Sequence, residues 1–141
     1  SSVYDAVFLP DGVGAVWDFP ASPELTVALE QFALQSKPIV AIGYGAAALV
    51  PIMDRRSQPL TRERRVACVS DDEVRARERD RVVPFLVESK LRQLGAIIEP
   101  AAPFEPKIET DGFLITGQNA ASSQSAADAL IEALRGARIA A

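Results

Sequence analysis

The chain has 141 residues, of which 48% are apolar and 24% charged, with a net charge of −4. That is one domain's worth of sequence with enough apolar residues for a real core, and no stretch approaches the uninterrupted run of a membrane span. The acidic balance argues against nucleic acid and anionic membrane as partners, while the single cysteine excludes an internal disulfide and fits a reducing, cytoplasmic setting.

Along the chain, Asp5 to Leu9 is an apolar run ending at Pro10, which predicts a buried parallel strand. A glycine-bearing loop, Pro10 to Asp18, follows its carboxyl end. Ser22 is an expected N-cap with Pro23 at the first helical position, and Leu25, Ala28, Leu29, Phe32 and Ala33 then recur at helical spacing. Pro38 to Ile42 predicts the next strand. Met53 to Arg64 is polar, carries Pro59 and reads as a loop. Arg65 to Val69 is expected as a strand, and Ser70 with Glu73 forms a capping-box pattern opening a charged helix through about Arg79. Val83, Val87, Leu91 and Leu94 mark another helix, closed by Gly95, and Ile97-Ile98 predicts a brief strand. Asp111-Gly112 is a hairpin signal between Lys107–Glu109 and Phe113–Thr116. Ser122 or Ser123 caps a last helix whose Ala126, Ala127, Leu130, Ile131 and Leu134 are expected to face inward.

Strands alternating with helices imply an α/β fold: a doubly wound, mostly parallel sheet with helices on both faces, in one domain spanning 1–141. Ligands of such sheets bind beyond the strand carboxyl ends. The loop after the first strand, the turn after the second and the segment from Thr116 to Ser123 all converge there.

The turn after the second strand carries most of the chemical information. In Pro38-Ile-Val-Ala-Ile-Gly43-Tyr44-Gly45-Ala-Ala-Ala-Leu-Val50, a β-branched run meets a glycine-bracketed turn and a small-residue helix start. Such an elbow ordinarily presents a Ser or Cys activated by a neighbouring base. Here the tip is Gly43-Tyr44, and the chain contains no histidine.

Four ordered blocks resemble the ThiJ/PfpI superfamily, the class I glutamine amidotransferase-like fold of flavodoxin-like architecture. Asp5 to Phe19 resembles "DavflPGGhGamwDf", and Ser36 to Leu49 resembles "GKPvaAiCHGpaaL". Val83 to Ala96 resembles "VPFlLEdkLrelGA", and Asp111 to Ser123 resembles "DGrLiTGQNPaSs". The branch is similar to the chaperone-glyoxalase-type and glutamine amidotransferase-like class 1 domain-containing proteins. Gly43 stands where that family's nucleophilic cysteine would be and Tyr44 where its histidine would be, and the PGGHG loop has become Pro10-Asp11-Gly12-Val13-Gly14. The resemblance also implies N-terminal strands, and a glutamate that hydrogen-bonds the cysteine, which this sequence lacks. A partner chain or second copy completing the sheet is therefore expected.

These departures imply a catalytically degenerate protein, a binding or assembly module and expected homodimer, with a residual pocket for a small carbonyl compound. Gly12, Gly14 and Gly45 retain turn geometry and an anion-favouring backbone, and Tyr44, Gln118 and Asn119 are the expected binding side chains, with capping of the last helix as the other role for Gln118 and Asn119. Cys68 lies mid-strand and reads as a buried hydrophobe, and Trp17 as core packing. The alternative is a cysteine-independent enzyme in which Tyr44 and an acid, Asp18 or Asp71, handle protons. An unperturbed phenol titrates near 10, so that role needs a strongly perturbed tyrosine. The arginines between positions 55 and 81 are interleaved with acids and read as a solvated, ion-paired face. No metal or other cofactor is expected, since the carboxylates lack ligand spacing.

Overall fold

The computed structural model describes residues 3–140, and side chains through residue 137. Strand β1 (Val7–Leu9) leads through the glycine-bearing loop into a short helix α1 (Ala15–Asp18) and then α2 (Pro23–Leu34). The α2 start is as the sequence dictates: Pro23 occupies the first turn, and the Ser22 hydroxyl accepts the Leu25 N–H at 3.2 Å. Strand β2 (Ile39–Ile42) is buried at every position and runs directly into a 3-10 stretch, Gly43–Leu49. Helices α3 (Asp71–Ala76) and α4 (Val87–Gln93) follow. The hairpin β3 (Ile108–Asp111) and β4 (Leu114–Gly117) turns through Gly112 at φ +60°, and α5 (Ser123–Ala140) closes the chain.

The described residues form a four-stranded sheet in the order β1-β2-β4-β3. β1, β2 and β4 are parallel, and β3 is antiparallel to β4. Alternation along β2 sorts its side chains between two cores. Ile39 and Ala41 pack with Leu29 and Phe32 of α2, whereas Val40 and Ile42 pack with Ala126 of α5. Helices therefore cover both faces, giving the expected mostly parallel, flavodoxin-like α/β arrangement.

Several local expectations are corrected. Val66 to Val69 is buried, yet the segment forms only a bridge from Arg65 to Ile97, so neither it nor Ile97-Ile98 is a regular strand. Val66 N–H donates to the Ile97 carbonyl, but beyond it the amides are taken elsewhere: Ala67 N–H donates to Thr116 Oγ1 and Val69 N–H to the Gly43 carbonyl. Helix α3 stops at Ala76, just before Glu78 adopts φ +56°, and α4 starts at Val87 because Pro84 disfavours helical backbone at Val83. Trp17 is 43% exposed, since α1 turns Ala15 and Val16 inward instead. Ile131 is 47% exposed: Ala126, Ala129 and Leu130 of α5 pack against the sheet core, and one helical step beyond Leu130 turns Ile131 away from it.

A buried carboxylate fastens the upper loops to α3. Glu73 is 3% exposed and completes the capping box with Ser70. Its Oε1 accepts from the Ser70 N–H at 2.8 Å and hydroxyl at 3.1 Å, and its Oε2 from the Phe104 N–H and the Asn119 amide, both at 2.9 Å. Removing it would orphan donors from three segments. Glu73→Ala should cost about 3 kcal/mol in chemical denaturation, and a loss below about 1 kcal/mol would show that these donors find other partners.

Cys68 is 2% exposed within the larger core. Burial pushes its thiol well above the ordinary range, and the carboxylates of Glu88 and Asp71 push the same way. A raised pKa means this group's share of stability is complete below the unfolded thiol's value of about 8.5 and is lost as pH climbs beyond it. Because the thiolate is the reactive form, native protein at about pH 8 should react with a disulfide reagent at least about a hundred times more slowly than guanidinium-unfolded protein. Equal rates would mean an open core.

Candidate functional site

The sheet delivers two chain segments to one point beyond its carboxyl edge. β2 ends in Gly43, whose φ of +56° is the left-handed conformation that glycine adopts without a Cβ penalty. The next turn presses against the end of β1: a Cβ on Gly45 would lie 2.6 Å from the Pro10 carbonyl oxygen and 2.7 Å from that of Leu9. Gly45 is thus required by close approach. This is the elbow geometry expected from the sequence, without a side chain at its tip.

The space at the tip is filled from the other segment. A Cβ on Gly43 would lie 2.6 Å from Cγ of Asp11, with the carboxylate Oδ1 nearer still. That same Oδ1 accepts hydrogen bonds from the Gly12 N–H and the Tyr44 N–H, both at 2.9 Å. The amide of the residue after the elbow tip is the group that holds an oxyanion in nucleophile-elbow enzymes. Here it holds the protein's own carboxylate. The anion-favouring backbone expected from Gly12 and the elbow is present, and its anion is internal.

Beside Asp11 opens a cavity of about 260 Å³, below the ~300–1,000 Å³ typical of drug-sized ligands. Its walls include Tyr44, Glu73, Arg77, Arg79 and Phe104. The Arg77 guanidinium lies 4.7 Å from the Phe104 ring centroid, and that of Arg79 lies 5.9 Å from the Tyr44 centroid. Among the described residues neither forms an ion pair, whereas Arg64, Arg65 and Arg75 do, so the expected ion-paired basic face holds only in part. Phe104 has φ +68°, an outlying conformation for a bulky residue, held by its N–H bond to Glu73.

The other expected site residues divide. Tyr44 is 5% exposed and lines the cavity. Gln118 and Asn119 line it too, but their amides are spent internally. Gln118 accepts from the Ala101 N–H and donates to its carbonyl, and Asn119 donates to Glu73 and to the Glu105 carbonyl. Gly12 contributes its N–H to Asp11, while Gly14 starts α1 and does not line the cavity. Neither alternative acid reaches it: Asp18 ends α1, and Asp71 accepts from the Ser89 hydroxyl. Asp11, Glu73, Arg77, Arg79 and Phe104 were not legible as site residues. Asp11 alone left a signal, a carboxylate where the family pattern has glycine. Among the described residues no cluster of histidine, cysteine, aspartate or glutamate has the geometry to hold a metal ion. No helix there is long and apolar enough to cross a membrane.

No family model matches the chain. It is 33% identical over 129 residues to the human glutamine amidotransferase-like class 1 domain-containing protein 1, an alignment covering 91% of this chain and 58% of that protein. It is 26% identical over 141 residues to a "Probable glutathione-independent glyoxalase" of Schizosaccharomyces pombe, covering 94% of this chain and 62% of that one. Among solved structures, the rapid encystment protein of Francisella tularensis superposes with a TM-score of 0.91 at 30% identity, over 94% of this chain and 59% of that chain. A ThiJ/PfpI domain protein of Brachyspira murdochii shares the fold, with a TM-score of 0.64 at 21% identity, over 94% of this chain and 61% of that one. The chain thus spans about 60% of the length of the proteins it matches. The chain is thus similar in sequence to the glutamine amidotransferase-like class 1 domain-containing proteins and has the fold of the ThiJ/PfpI domain structures.

Proposed function

We propose that this protein is a catalytically degenerate ThiJ/PfpI member that acts as a binding or assembly module. One observation carries the reading: the Asp11 carboxylate occupies the volume a residue-43 side chain would need and takes the two amides that would stabilise an oxyanion. A covalent step at carbon needs a nucleophile and a free oxyanion site together, and this elbow offers neither. Cys68 is no substitute, being core-buried and outside the cavity lining. The glyoxalase among the relatives supports descent from small-carbonyl chemistry, of which the cavity is the remnant.

A second reading has one observation in its favour: the Tyr44 side chain faces the same cavity as Asp11, Glu73 and Arg79. In it, Tyr44 and Asp11 would move protons on a small carbonyl compound without a covalent intermediate. Incubation with methylglyoxal and with model thioester and amide substrates separates the two. The degenerate reading expects no turnover above a heat-killed control. Turnover that Tyr44→Phe abolishes would reverse the choice.

The assembly role rests on the sheet edge. β1 pairs with β2 alone among the described residues, and its Phe8 is 38% exposed. An unpaired parallel edge of this kind accepts a further strand, so a second copy or a partner chain would complete the sheet. Size-exclusion chromatography with light scattering should find the protein as a dimer, or held in a complex with a partner. A folded monomer across the accessible concentration range would remove the assembly half of the proposal.

A further inference from the structure

The cavity beside the elbow carries charges of both signs that the protein leaves unmatched. Glu73 is not one of them, because each of its oxygens already accepts two hydrogen bonds. Asp11 differs. Its Oδ1 is held by two amides, but its Oδ2 has no hydrogen-bond partner among the described residues. Arg77 and Arg79, in the same cavity, have aromatic rings beneath them and no carboxylate partner among the described residues. Asp11 forms no ion pair with either arginine across the cavity, so acceptor and donors await something between them.

The consequence is a reversal of the elbow's polarity. A carbonyl or carboxylate oxygen approaching the tip finds the Gly12 and Tyr44 N–H groups engaged and meets a carboxylate instead. A protonated amine or other donor meets an available acceptor there. The guanidiniums behave oppositely: lying over the Phe104 and Tyr44 rings without a carboxylate partner among the described residues, they are cations open to an anion. Resting on the reading of this cavity as a binding site, we propose that it takes a small zwitterion. The amine docks on Asp11 and the carboxylate on Arg77 and Arg79. Phe104, held in its left-handed backbone conformation by Glu73, fixes the platform under Arg77.

The test is calorimetric titration of the full chain with ω-amino carboxylates of increasing length, from glycine through 3-aminopropionate and 4-aminobutyrate to 5-aminopentanoate. Butyrate and butylamine serve as single-charge controls. At least one zwitterion should bind about ten-fold or more tighter than both controls. Asp11→Asn, which keeps the shape and removes the charge, should erase that advantage while leaving butyrate binding equal or stronger. Arg77→Met with Arg79→Met should erase it from the other end, leaving butylamine binding in place. The proposal is overturned if no zwitterion binds, if butyrate alone binds as well, or if Asp11→Asn keeps the advantage. Because the readout is binding, it is separate from turnover: product formation defeats the degenerate reading without touching this one, and Asp11-independent binding does the reverse.

Discussion

The elbow of this protein depends on a steric exchange between two positions, Asp11 and Gly43, that are far apart in sequence and adjacent in space. Gly43 has no side chain, and the carboxylate of Asp11 sits where one would be. Neither residue is independent of the other. A side chain at 43 has no room while Asp11 holds its place, and Asp11 gains its two amide hydrogen bonds only because residue 43 leaves the space open. A charge-assisted pair of N–H···O⁻ bonds in a partly enclosed site is among the stronger local interactions available to a chain. It pins the loop after β1 to the start of the 3-10 stretch, which is the seam where a reacting group would stand in an enzyme with this frame.

That seam is built on a rigid base. β2 is buried on both faces, with α2 on one side and α5 on the other, so its carboxyl end has little freedom to shift. The wall opposite depends on Glu73, which joins α3 to Phe104 and Asn119 through hydrogen bonds in a dry setting. Gln118 and Asn119 therefore serve as structural ties, although they stand at the cavity surface. What remains exposed to a ligand is a compact set: one carboxylate oxygen, two guanidiniums and two aromatic faces. Such a set places charges of both signs at one cavity surface.

Much of this was readable from the residues in order. Apolar runs with Gly/Pro punctuation located β1, β2 and the β3–β4 hairpin, and Ser22-Pro23 and Ser70–Glu73 marked two helix starts by local hydrogen bonding. The glycine and tyrosine at the elbow tip and the lack of histidine were legible as residue identities. Arg65 to Val69 misled because its β-branched composition reports burial, while strand formation depends on whether a partner's backbone is at hand. Thr116 and Gly43 supplied side-chain and loop acceptors in its place.

The sequence by itself determined the fold class, the elbow and the absence of an imidazole, because these follow from local pattern, glycine placement and composition. The site's charge distribution was decided only in three dimensions. Asp11 looks like an ordinary turn residue until the sheet brings it against Gly43, and Arg77 and Arg79 look like members of an ion-paired surface until α3 ends and turns them over Phe104 and Tyr44. Electrostatic pairing is a property of distance through space, and distances between residues far apart in the chain are set by how the layers pack.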